Sequence, residues 1–108
     1  MAEPTLSGGK PITHWVEALK DPDSSIRKNA VRKLGNVGPA DPQVLPTVTS
    51  ALNDQDREVR CEAILALLKC GPDARPAIPA LTELQQKDRD PKVRDYAARA
   101  MEKLSQGK

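Results

Sequence analysis

Three segments of this chain carry one pattern in fixed register. They read Asp21-Pro-Asp-Ser-Ser-Ile-Arg27, Asp54-Gln-Asp-Arg-Glu-Val-Arg60 and Asp88-Arg-Asp-Pro-Lys-Val-Arg94, at steps of 33 and 34 residues. The register continues downstream through Ala30, Ala63 and Ala97, and then Leu34, Leu67 and Met101. Upstream, Trp15 aligns with Val48 and Leu81, and Pro46 with Pro79. Repetition at this period restricts the chain to a stacked array, in which each unit buries its apolar side against the next.

Each unit reads as two helices. Asp23, Asp56 and Asp90 stand where a carboxylate can accept the free amide hydrogens of a first turn. Apolar residues then recur at helical spacing: Ile26, Ala30, Leu34 and Val37; Val59, Ala63, Leu67 and Cys70; Val93, Ala97, Met101 and Leu104. Gly38, Gly71 and Gly107 mark the ends of these second helices. The first helices are expected over residues 11–20, 42–53 and 74–87, with Asp41-Pro42 as a capped start. Pro46 and Pro79 fall one turn inside, so a bend is expected at each. Strand signals are absent.

The expected architecture is therefore an all-α solenoid of three helix pairs. Residues 1–10 read as a flexible leader and 11–108 as one repeat domain, with repeats at approximately 11–38, 39–71 and 72–105. Composition agrees with a thin array. Of the 108 residues, 38% are hydrophobic and 30% charged, and there is no Phe, one Trp and one Tyr. Leu, Ile, Val and Ala must fill the core, and small side chains allow close helix approach. The polar Gln85-Gln86-Lys87 ending suits an end cap, since nothing need pack outside it.

The pattern Asp-x-Asp-x-x-Val-Arg-x-x-Ala-x-x-x-Leu, preceded by Gly-Pro, resembles the HEAT family over residues 11 to about 105. It is most similar to the short HEAT-like repeats of phycobilin-lyase-type proteins. The resemblance implies right-handed stacking, with the second helices lining a concave face. It also implies an Asp–Arg ladder between successive repeats, with Arg27, Arg60 and Arg94 as one set of rungs and Asp21, Asp54 and Asp88 as the other. That ladder reads as a structural brace, because a hydrogen-bonded Arg–carboxylate pair holds two elements together strongly.

The second helices carry the candidate binding site. From a core face centred near Ala63, Leu65 lies nearly opposite, with Cys61 and Leu68 beside it as a stripe. The aligned residues elsewhere are polar: Lys28 and Asp95 for Cys61, and Arg32 and Arg99 for Leu65. An apolar centre with an Arg-bearing rim is a common interface composition. Leu65, Arg32, Arg99, Tyr96 and Cys61 are thus expected to bind another protein, and a homodimer through the same patch is a further possibility. Leu68 reads first as packing between repeats.

Other chemistries find little support. His14 is the sole histidine and has no partner motif for acid–base work. The Asp pairs lack the loop and terminal Glu of a calcium site. There is no GxGxxG, no Walker loop and no Cys/His metal spacing, so no enzyme activity and no cofactor are expected. Net charge is +2, from 17 basic and 15 acidic residues, too balanced to demand a polyanion. Nucleic-acid binding by the same face is the alternative reading, weakened by interspersed acids and by missing aromatic platforms. A second alternative, implied by the resemblance, is an accessory role in chromophore attachment, with Cys61 as a contact. Cys61 and Cys70 are nine apart on one helix, too far for a disulfide. Free thiols and the absence of a long apolar run lead to the expectation of a cytoplasmic protein with no membrane span.

Overall fold

The computed structural model describes residues 6, 7 and 9–106. Most of the leader expected over residues 1–10 lies outside the described residues, as does Gly107. The described part of the leader corrects the expectation in one respect. Leu6–Ser7 (β1) pairs antiparallel with Lys10–Pro11 (β2), and β1 packs on the second helix of the first pair. Gly9, at φ +78°, supplies the backbone geometry of this tight turn.

Six α-helices follow: α1 (Ile12–Ala18), α2 (Ser24–Val37), α3 (Val44–Ala51), α4 (Arg57–Cys70), α5 (Ile78–Lys87) and α6 (Pro91–Gln106). A 3-10 segment, Gly71–Ala77, leads into α5. The first helices are shorter than expected, and α3 and α5 each start later, with a proline in the first turn. Pro46 is the third residue of α3 and Pro79 the second of α5. In a first turn the missing N–H has no partner to lose, so neither proline sits where it would force a bend.

The second helices begin on carboxylates. Asp23 accepts from the Ser25 amide at 2.9 Å, Asp56 from Glu58 and Val59 at 2.8 and 3.3 Å, and Asp90 from Lys92 at 2.9 Å. The first Asp of each pair turns the chain into the cap. Asp21, Asp54 and Asp88 each accept, at 2.9 Å, the amide of the residue two later.

The arginine of each unit ties this turn to the stack. Arg27, Arg60 and Arg94 each donate to the carbonyl of their own unit's first Asp, at 2.9, 2.9 and 2.7 Å. Two of them also reach the next unit. Arg27 grips Asp54 with two bonds, Nε–Oδ2 at 2.9 Å and Nη2–Oδ1 at 3.1 Å. Arg60 lies against Asp88 with Nη2–Oδ1 at 3.1 Å and Nε 2.7 Å from Oδ2. The Arg60 Nε–H is out of line with that oxygen, so this arm of the pair is ionic and not a formed hydrogen bond. Arg27 and Arg60 are buried, and the bond to Asp54 holds the Arg27 guanidinium pKa above its ordinary value. Asp21 and Arg94, at the two ends, have no such inter-repeat partner among the described residues.

Packing makes one continuous layer of α2, α4 and α6, with α1, α3 and α5 each set against the second helix of its own pair. This layer of second helices, with α2 on α4 and α4 on α6, is called the inner layer below. The body measures 43 × 35 × 16 Å, a slab about two helices thick. The core runs between the layers through Val31, Leu34, Val48, Val59, Ile64, Leu67, Leu81 and Val93, all without exposed surface. Ile26 departs from its aligned valines: it is 43% exposed, where Val59 and Val93 are wholly buried.

Candidate functional site

The two seams of the inner layer are built from aligned positions but different residues. In the α2–α4 seam, Gly35 meets Ala66 so closely that a Cβ on Gly35 would lie 2.8 Å from the Ala66 Cβ. Polar bridges close the seam over this crossing. Lys28 lies 3.9 Å from Glu58, Arg32 lies 3.5 Å from Glu62, and Lys69 donates to Asn36 at 2.9 Å.

One repeat later, the same positions hold Leu68 with Ala100 at the crossing, and Cys61 with Lys92, Leu65 with Tyr96, and Lys69 with Lys103 above it. Leucine replaces glycine, and an apolar pair replaces the Arg–Glu bridge. At the start of this seam stand the Arg60–Asp88 rung and a second ion pair, in which Arg57 donates to Asp90 at 2.9 Å; no further ion pair crosses it among the described residues. Arg57 is also what chiefly holds the Asp90 carboxyl below its ordinary pKa.

A groove of about 250 Å³ opens beyond it, lined by Ile64, Leu65, Leu68, Tyr96 and Arg99. Leu65 is 40% exposed, one of two large hydrophobic side chains among the described residues to stand so far in solvent. Leu68 and Tyr96 are half-buried against the core, and the Lys92 ammonium lies 5.8 Å from the centre of the Tyr96 ring. Arg99 lies on the rim and pairs with Asp95 on its own helix at 3.2 Å.

Of the residues singled out in the sequence, Leu65, Tyr96 and Arg99 thus share one groove. Arg32 does not join them. It stands on the other side of α4, turned to Glu62 across the α2–α4 seam. Cys61 is corrected from an exposed contact to a buried one, at 5% exposure. The central helix has a neighbour on both sides, and a short thiol at its start is covered where the longer Lys28 and Asp95 reach solvent. Burial pushes the Cys61 thiol pKa up, which leaves it a packing residue. His14 is exposed, with its ring edge-on to Trp15 at 4.6 Å.

Three helix pairs, with an Arg of each of the first two units reaching an Asp of the next, agree with the comparison to known families. The family model for HEAT repeats matches residues 12–102. The chain belongs to the HEAT repeat family. A comparison with curated proteins finds no match.

HEAT repeats generally serve as interaction scaffolds and are generally non-catalytic. No cluster of three or more His, Cys, Asp or Glu able to hold a metal occurs among the described residues. No described helix is long and apolar enough to cross a membrane. Within this HEAT stack, sequence reasoning passed over Gly35, Ile64 and Arg57. The signal for Gly35 was present, because a glycine inside a helical pattern often marks a close approach.

Proposed function

We propose that this HEAT-repeat protein is a non-catalytic interaction module that holds another protein on the face formed by α2, α4 and α6. The contact centres on the groove beside Leu65. One observation carries the reading: the α2–α4 seam is closed by three polar bridges over a glycine crossing, whereas the aligned α4–α6 seam is open and apolar. A leucine left 40% exposed at such a position gains by being covered. Leu65 and Tyr96 form the anchor, and Arg99 orients the partner from the rim.

The test is affinity capture from a lysate of the source cell, with wild type and Leu65→Glu as paired baits, each with and without nuclease. The reading expects a protein held by wild type, released by Leu65→Glu and indifferent to nuclease. Capture that nuclease abolishes, or that both baits show equally, counts against it.

A further inference from the structure

We infer that the occupant of the α4–α6 groove is an acidic amphipathic helical segment of a partner protein; this rests on the reading that the groove is the binding site. The groove continues past Leu68. A second depression of about 370 Å³, lined by Leu68, Gly71, Pro72, Lys103 and Leu104, shares Leu68 with the first. The two together are walled by apolar side chains, Tyr96 and two cations, Arg99 and Lys103, with no carboxylate in the lining.

The charge on this wall is unspent. Lys103 makes no hydrogen bond or ion pair with any described residue. Arg99 has only Asp95, one turn back on the same helix, in a pair whose side chains are 75% and 56% exposed. Such a pair is worth little and is easily exchanged. In the neighbouring seam, by contrast, the cations already have partners across the seam: Lys28 faces Glu58, Arg32 faces Glu62, and Lys69, which aligns with Lys103, donates to Asn36.

An occupant that covered the groove without acids would strip water from Arg99 and Lys103 and return nothing. A basic occupant would add repulsion. Carboxylates beside an aliphatic anchor satisfy both walls at once. The spacing favours a helix. Arg99 and Lys103 are four residues apart on α6, a rise of about 6 Å, which two acids at i and i+4 on a docked helix reproduce. From Tyr96 to Lys103 the wall is about 10 Å long, two turns of such a helix, the usual size of a helix-in-groove anchor.

The experiment is selection from a random display library of helical peptides on the full chain. Binders are counted as specific when they hold wild type and are lost on Leu65→Glu. Leu65 is already solvent-facing, and unchanged circular dichroism and melting confirm that the variant is folded. We expect Leu65-dependent peptides enriched in Asp or Glu beside a Leu, Ile or Phe anchor. Their affinity should fall by roughly tenfold or more in the Arg99→Glu, Lys103→Glu double variant, on which the charge-reversed peptides with Lys for Glu should regain binding.

Leu65-dependent binders that are neutral or basic would overturn the acidic occupant and leave the groove as the site. An absence of Leu65-dependent binders would remove both. Wild type that self-associates in sedimentation while Leu65→Glu stays monomeric would make the occupant a second copy of this chain and overturn the inference.

Discussion

Gly35 crosses Ala66 at a separation that leaves no room for a methyl group, with the Ala66 Cβ 2.8 Å and its Cα 3.1 Å from where a Gly35 Cβ would stand. This crossing holds α2 and α4 together, while Leu68 occupies the aligned position between α4 and α6. On an exposed helix, Gly→Ala stabilises by up to about 1 kcal/mol. Here overpacking costs about 1–3 kcal/mol and outweighs that gain. Gly35→Ala is therefore predicted to lower the unfolding free energy by about 1–2 kcal/mol. Urea denaturation followed by circular dichroism measures it, and a variant more stable than wild type would contradict the crossing.

The ladder predicts two unequal losses from the same substitution. Arg60→Ala leaves the Asp88 carboxylate, whose side chain is 5% exposed, without its cation. Removing one partner of a buried pair in this way costs about 3 kcal/mol. Among the described residues, Arg94 reaches only the carbonyl of Asp88. Arg94→Ala should cost about 1 kcal/mol, the worth of a single hydrogen bond. Equal losses in thermal or urea unfolding would mean that the inter-repeat arm contributes nothing.

The caps make stability sensitive to acid. The Ser25 hydroxyl, foremost, holds the Asp23 carboxyl below its ordinary pKa, and Arg57 does the same for Asp90. A folded-state pKa below the unfolded one means stability that is present above the unfolded value of about 3.9 and is lost as pH falls through the lower folded value. The urea midpoint should hold from neutrality to about pH 5 and fall below about pH 4. Asp90→Asn should flatten part of that fall. A midpoint unchanged or raised at pH 3 would contradict the assignment.

Both thiols should be inert while the chain is folded. Cys61 and Cys70 are each 5% exposed, and burial raises the pKa of both. Reaction with an aromatic disulfide reagent at pH 8 should be more than about tenfold slower than in denaturant. Rapid modification of Cys61 in the native protein would put it back on the surface.

The helix pairs were legible in the sequence because their signals are local. An Asp three residues before the first apolar position caps whatever helix follows, and the aligned alanines and leucines point inward by period alone. The first-helix boundaries were less legible, since Pro46 and Pro79 read as bends inside longer helices and stand instead in the first turns of α3 and α5. The groove depends on which neighbour each side chain meets. Leu65, Tyr96 and Arg99 converge because α4 and α6 lie side by side. Arg32, one repeat earlier on the same aligned position as Leu65, is drawn aside by Glu62. Cys61 vanishes beneath its neighbours for the same reason: a wheel drawn for one helix does not show the two that flank it.

The central claim is that the inner layer, at Leu65, is where a partner is held. The most direct measurement places a photo-crosslinking amino acid at Leu65 and, separately, at the exposed Gln86 of α5, and irradiates each in the source cell. Both positions stand in solvent, so the folded state should survive either change within about 0.5 kcal/mol. The account predicts a discrete protein adduct from position 65 and none from position 86. Adducts from position 86 alone, or none from position 65, would contradict it.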